Sequence, residues 1–302
     1  MTHDHHDHSH AVGAQTDLRM LAVALGLNLA FLVVEVVVGI LANSLALLSD
    51  AAHMLTDAVA IGLALVAARL ALRGPAGSLT YGYKRAEILS AQFNGLTLLI
   101  LGTFIVYGGI ERLLDPRHVD AGPVLVVASA GLLINAGAAW ALARANRESL
   151  NVEGAFQHNL MDAYASLGTM AAALIILTTG FERADPIASL IIAVPMLVSG
   201  TRLVRRTTRI FLEAAPEGLD PAEVGAAMAA EPHVVEVHDL HVWEITSGFT
   251  ALSAHVLVHE GCDCHEHRRK LERMVHDRFG IEHTTLQVDH EHVGNLVHIQ
   301  GT

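Results

Sequence analysis

The stretch from Ser44 to Ala67, SLALLSDAAHMLTDAVAIGLALVA, is apolar and long enough to cross a bilayer, yet it carries Asp50, His53 and Asp57. At 3.6 residues per turn those positions share one helical stripe, with His53 one turn before Asp57. Ionisable side chains inside membrane helices are costly and rare, and their presence points to function. A second apolar segment, Gly154 to Thr179, repeats the spacing with His158 and Asp162. Two helices therefore each offer an imidazole and a carboxylate. That N2O2 set suits a tetrahedral divalent metal such as zinc.

The rest of the chain agrees with a membrane setting. It has 302 residues, 52% of them hydrophobic and 17% charged, with a mean hydropathy of +0.42. Six segments pass the spanning test, near Leu18–Ala42, Ser44–Leu70, Ala86–Ile110, Pro123–Ala143, Gly154–Thr179 and Pro186–Val204. One set of connections holds eleven basic residues (Arg19, Arg69, Arg73, Lys84, Arg85, Arg144, Arg147, Arg202, Arg205, Arg206 and Arg209). The other holds Arg112, Arg117 and Arg183. The positive-inside rule then places both termini in the cytoplasm. The His-rich, acidic start, MTHDHHDHSH, does not read as a secretory signal. A net charge of −12 argues against nucleic acid as a partner.

Three regions follow. Residues 1–16 read as a disordered cytoplasmic tail able to bind metal loosely, 17–209 as the six-helix membrane domain, and 210–302 as a separate domain without a spanning run. In the last region helical spacing over Pro221–Ala230 and Cys264–Phe279 alternates with strand-like runs at Val234–Ile245, Thr250–His259 and Thr284–Asp289. The order α-β-β-α-β predicts a small two-layer α+β domain. Its two cysteines, Cys262 and Cys264, are spaced poorly for a mutual disulfide and read as a reduced pair of soft donors.

The membrane donors have a chemical consequence. Two carboxylates in a low-dielectric region call for a divalent ion, and without one the site takes up protons, so metal and protons compete. A mid-membrane site alternating between the two is what a metal/proton antiporter requires. A membrane-embedded hydrolase would need an open metal position and a nearby base. Four protein ligands close the tetrahedron, and the chain has no His-Glu-x-x-His motif, so no enzymatic activity is expected. The other reading left open is a membrane-anchored metal sensor. Asp50 is expected either to orient His53 or pass protons, or to be hydrated near the surface, and Glu35 to hydrogen-bond between helices.

The series SLALLSDAAHMLTD, YGYKRAEIL, FQHNLMDAYAS and VHDLHVWEI resembles the cation diffusion facilitator family, in particular its bacterial zinc-exporting branch. The resemblance covers nearly the whole chain. It implies an α-helical membrane protein of six transmembrane helices with a metallochaperone-like cytoplasmic α+β domain, a homodimer in the bacterial inner membrane, and proton-driven export of divalent metal. His53, Asp57, His158 and Asp162 match the family's transport site, and histidine in both helices matches its zinc-preferring form, with Cd2+, Co2+ or Fe2+ as alternative substrates. His238, His255, His265 and Asp289 match positions of a cytoplasmic zinc centre near the dimer contact, which Cys262 and Cys264 could extend.

Overall fold

The computed structural model describes residues 29–143 and 150–291. The tail at 1–16 lies outside the described residues, as do Arg19, Arg144, Arg147 and the side chain of His158. Among the described residues five helices have the length and apolarity to cross a membrane, and a shorter apolar one precedes them. These are α1 (Leu29–Leu41), α2 (Leu45–Ala71), α3 (Ala86–Leu114), α4 (Ala121–Ala143), α5 (Leu150–Thr179) and α6 (Ala184–Phe211). The chain forms two compact units, one of residues up to Leu63 with Phe93–Leu203, the other of Ala64–Gln92 with Val204 onward.

In the first unit the helices approach closely at small residues. A Cβ added at Gly102 or Gly109 of α3 would lie 2.8 Å from Leu197 or Leu190 of α6, and one at Gly200 3.0 Å from the Gly95 carbonyl. With no hydrophobic drive between helices in lipid, such close contact supplies much of the attraction. Pro195 interrupts the hydrogen-bond ladder of α6 midway. Large side chains such as Ile61, Phe104, Leu133 and Ile191 are left exposed, as a lipid-facing surface demands.

One interhelical cap fixes the start of α2. Asp185, in the first turn of α6, accepts hydrogen bonds from the Ser44 hydroxyl (2.5 Å) and the Leu45 and Ala46 amides (2.7 and 3.3 Å). The carboxylate thus meets the orphan N–H groups and positive end of α2, 140 residues earlier in the chain for Leu45. Arg112 of α3 holds the same corner by donating to the carbonyl of Asn43 (2.6 Å) and its side-chain oxygen (3.0 Å).

The second unit contains α7 (Pro221–Ala229), β1 (Val234–Thr246), β2 (Phe249–Val258), α8 (Cys264–Phe279) and β3 (His283–His290). The α-β-β-α-β order is the expected one. β1 and β2 form an antiparallel hairpin, β3 adds parallel to β2, and the sheet order is β1-β2-β3. The parallel pairing needs the crossover that α8 provides. Both helices pack on one face, where Val224, Met228, Leu271 and Val275 meet Leu252, Ala254, Val256 and Leu286 in a shared core. Asp220 and Asp263 cap the two helices, and the amides of Glu266 and His265 hold the Asp263 carboxyl below its ordinary range. The segment leading into α3, with the first turn of that helix, docks on this domain: the Lys84 ammonium lies 3.7 Å from the Phe249 ring centroid, Thr246 donates to Glu87 (3.2 Å), and Arg85 meets Glu213 at 3.3 Å.

Candidate metal centre

Helical periodicity turns His53 and Asp57 of α2 toward Asp162 of α5. His53 Nε2 stands 3.7 Å from Asp57 Oδ2 and 3.7 Å from Asp162 Oδ1. Those separations are too long for direct hydrogen bonds. They are close to the ligand-to-ligand edge of a tetrahedron with metal–ligand bonds near ~2.1 Å, which is about 3.4 Å. One donor atom from each residue falls within 4.8 Å of the others, and among the described residues no other trio of this kind occurs. Asp162 is 7% exposed, while His53 and Asp57 are half-buried. His158 occupies a position on α5 one turn before Asp162, and its side chain lies outside the described residues.

Two further carboxyls stand near this cluster. Asp50, 3% exposed, accepts from Ser166 Oγ of α5 at 3.3 Å. The expectation of a hydrated Asp50 therefore fails, because the α2 stripe that carries His53 turns Asp50 inward against α5 as well. Glu35 of α1 is fully buried, and neither of its oxygens has a hydrogen-bond partner among the described residues. Among the described residues the expected interhelical hydrogen bond is thus not made. Glu35 instead feels the charges of Asp50 and Asp162, so acidic groups from three helices share one water-poor region. Such a concentration of carboxyls attracts cations, whether metal ions or protons.

The C-terminal domain carries a different group. His238 and His255 pair across the β1–β2 hairpin, their rings edge to face with centroids 5.5 Å apart. Strand alternation puts His255, Gln287 and Asp289 on the sheet face away from the helices, and Gln287 donates to Asp289 at 2.8 Å. His265 is exposed on the first turn of α8, whose packing side is the opposite face of the sheet. A single chain therefore brings His238 and His255 together and leaves His265 apart from them.

Sequence reasoning passed over Asp239. Within the irregular pairing between His238 and His241, it adopts a left-handed backbone (φ 52°) and meets His241 Nε2 at 2.9 Å. That hydrogen bond, aided by the charges of His241, His255 and His238, holds its carboxyl below the ordinary range. The VHDLHVW run contained the signal, but strand alternation alone would have separated Asp239 from its neighbours.

The comparisons with known proteins agree along the chain. Residues 21–212 match the cation efflux transmembrane domain, and residues 216–291 match the cation efflux protein cytoplasmic domain. The "Cadmium, cobalt and zinc/H(+)-K(+) antiporter" of Bacillus subtilis (strain 168) is 35% identical over 94% of this chain and 92% of its own length. The "Zinc transporter ZitB" of Escherichia coli (strain K12) is 38% identical over 96% of this chain and 93% of its own. The "Metal cation efflux system protein CzcD" of Cupriavidus metallidurans is 38% identical over 94% and 89%.

Proposed function

This chain belongs to the cation efflux family, and from that premise we propose that it exports Zn2+ from the cytoplasm in exchange for protons, holding the ion on His53, Asp57, His158 and Asp162. The observation that carries the proposal is the spacing of His53 Nε2, 3.7 Å from a carboxylate oxygen of each aspartate. The ion would exchange its hydration shell for two imidazoles and two carboxylates, whose charges balance its own. Because metal ligands must be deprotonated, loading expels protons, and proton return on the other side releases the ion. Competition at one cluster thus couples the two flows. Alternating access around a fixed mid-membrane site supplies the transport step.

The excess of basic residues on one set of connections supports cytoplasmic termini and an inner-membrane location. We assign the C-terminal domain to metal binding and homodimer formation. A centre built from His238, His255, His265 and Asp289 would need donors from two copies, since one chain holds His265 away from the sheet-face group. A broader metal choice is favoured by the B. subtilis relative, whose name includes cadmium and cobalt.

Metal uptake into proteoliposomes with an imposed pH gradient tests the proposal. Zn2+ uptake should need the gradient and be lost in His53→Ala and Asp57→Ala, with Cd2+ and Co2+ competing less well than Zn2+. Gradient-independent uptake, or full activity in the variants, would refute it.

A further inference from the structure

A second group of metal donors lies at the end of the C-terminal sheet where β1 begins and β2 and β3 finish. The Asp263 cap sets Cys264 at the start of α8, and the β2–β3 register brings His290 beside Val258. Cys264 Sγ stands 3.5 Å from Nε2 and 3.9 Å from Nδ1 of His290. Nε2 also lies 2.8 Å from the Cys262 carbonyl oxygen. An N–H donated to that carbonyl leaves the lone pair on Nδ1, the side of the ring that would face a metal. Imidazole ligands commonly have this arrangement, one nitrogen on the ion and the other bonded to the backbone.

A tetrahedral ion with a sulfur at about 2.3 Å and a nitrogen at about 2.0–2.1 Å separates the two donors by about 3.6 Å, a few tenths of an ångström less than the 3.9 Å from Cys264 Sγ to the free Nδ1. His267 Nδ1 lies 3.1 Å from the Asp263 carbonyl, and the His233 ring is 5.8 Å from that of His267 and 6.5 Å from that of His259. Both cysteines are free and half-buried.

The geometry points to a cytoplasmic metal site centred on Cys264 and His290 that takes a soft divalent cation. It is separate from the transport cluster. It is also separate from the sheet-face donors, because His290 points to the helix side of β3 while Asp289 points away from it. Thiolate sulfur biases the site toward soft ions, so its occupancy need not follow the selectivity of transport.

Cobalt binding to the purified, reduced full-length protein tests this. Cys262 and Cys264 are the only cysteines in the chain, so any thiolate-to-cobalt charge-transfer band must arise from them. The band is expected in the wild type, lost in Cys264→Ser, and titrating at a roughly 10- to 100-fold higher cobalt concentration in His290→Gln. It should persist in His238→Ala/His255→Ala and in Asp162→Ala. No band at saturating cobalt, an unchanged titration in His290→Gln, or loss of the band with the sheet-face histidines would overturn the site. His290→Gln serves if Cys264→Ser fails to fold. A protein that shows the band but moves no zinc would refute the transport proposal and leave this one standing.

Discussion

The His–carboxylate group in the membrane and the His-rich face of the C-terminal sheet contain the same kinds of donor in opposite surroundings. In the membrane, buried Asp162 stands with half-buried His53 and Asp57 near the buried carboxyls of Asp50 and Glu35. On the sheet, His238, Asp239, His241 and His255 are all exposed, so water already meets their hydrogen-bonding needs. The low-dielectric cluster must be neutralised by an ion or by protons, whereas the sheet face can remain empty at little cost. Identical chemistry is therefore obligatory in one place and optional in the other.

The largest effect that would test this contrast is expected at Asp162. Asp162→Ala should reduce zinc transport by more than the roughly 10- to 100-fold cost of losing a supporting residue, as measured by initial uptake rates. His238→Ala/His255→Ala should retain measurable transport. Equal losses in the two would erase the distinction. A mutation in the apolar core should instead act on stability: Leu271→Ala, on the packing face of α8, should cost about 2–5 kcal/mol in the unfolding of the C-terminal domain. Thermal unfolding of the full chain checks that value.

Smaller effects should come from exposed charges. Arg85 and Glu213 stand 3.3 Å apart but remain largely open to solvent, so a double-mutant cycle with Arg85→Ala and Glu213→Ala should give a coupling below about 1 kcal/mol. A larger coupling would mean that the docked segment makes the pair behave as a buried one. The smallest predicted effect is a shift in titration. His241→Ala should let the Asp239 carboxyl move back up toward its ordinary range, measurable by NMR. In the intact domain that carboxylate contributes stability above its unfolded-state pKa, and the contribution fades as pH falls through its lowered folded value.

Much of this architecture was legible because its signals are local. β-branched and aromatic runs announced β1 and β2, and helical spacing announced α8, so the expected elements match the observed ones closely. The paired His-x-x-x-Asp spacing likewise needed only the pitch of a helix to gather His53 and Asp57 on one stripe. What remained hidden depends on contacts between distant parts of the chain. Nothing near Asp185 shows that it caps α2, and nothing near Glu35 shows that its carboxyl lies buried beside Asp50 and Asp162. The parallel β2–β3 pairing was equally hidden, since strand patterns give which face is buried but not which neighbour is chosen.

The most direct measurement is of zinc and proton flux in the same proteoliposomes, wild type against Asp162→Ala. Zinc moving one way should be accompanied by protons moving the other, and both flows should vanish together in the variant. Zinc flux without proton movement, or equal fluxes in the two proteins, would contradict that expectation.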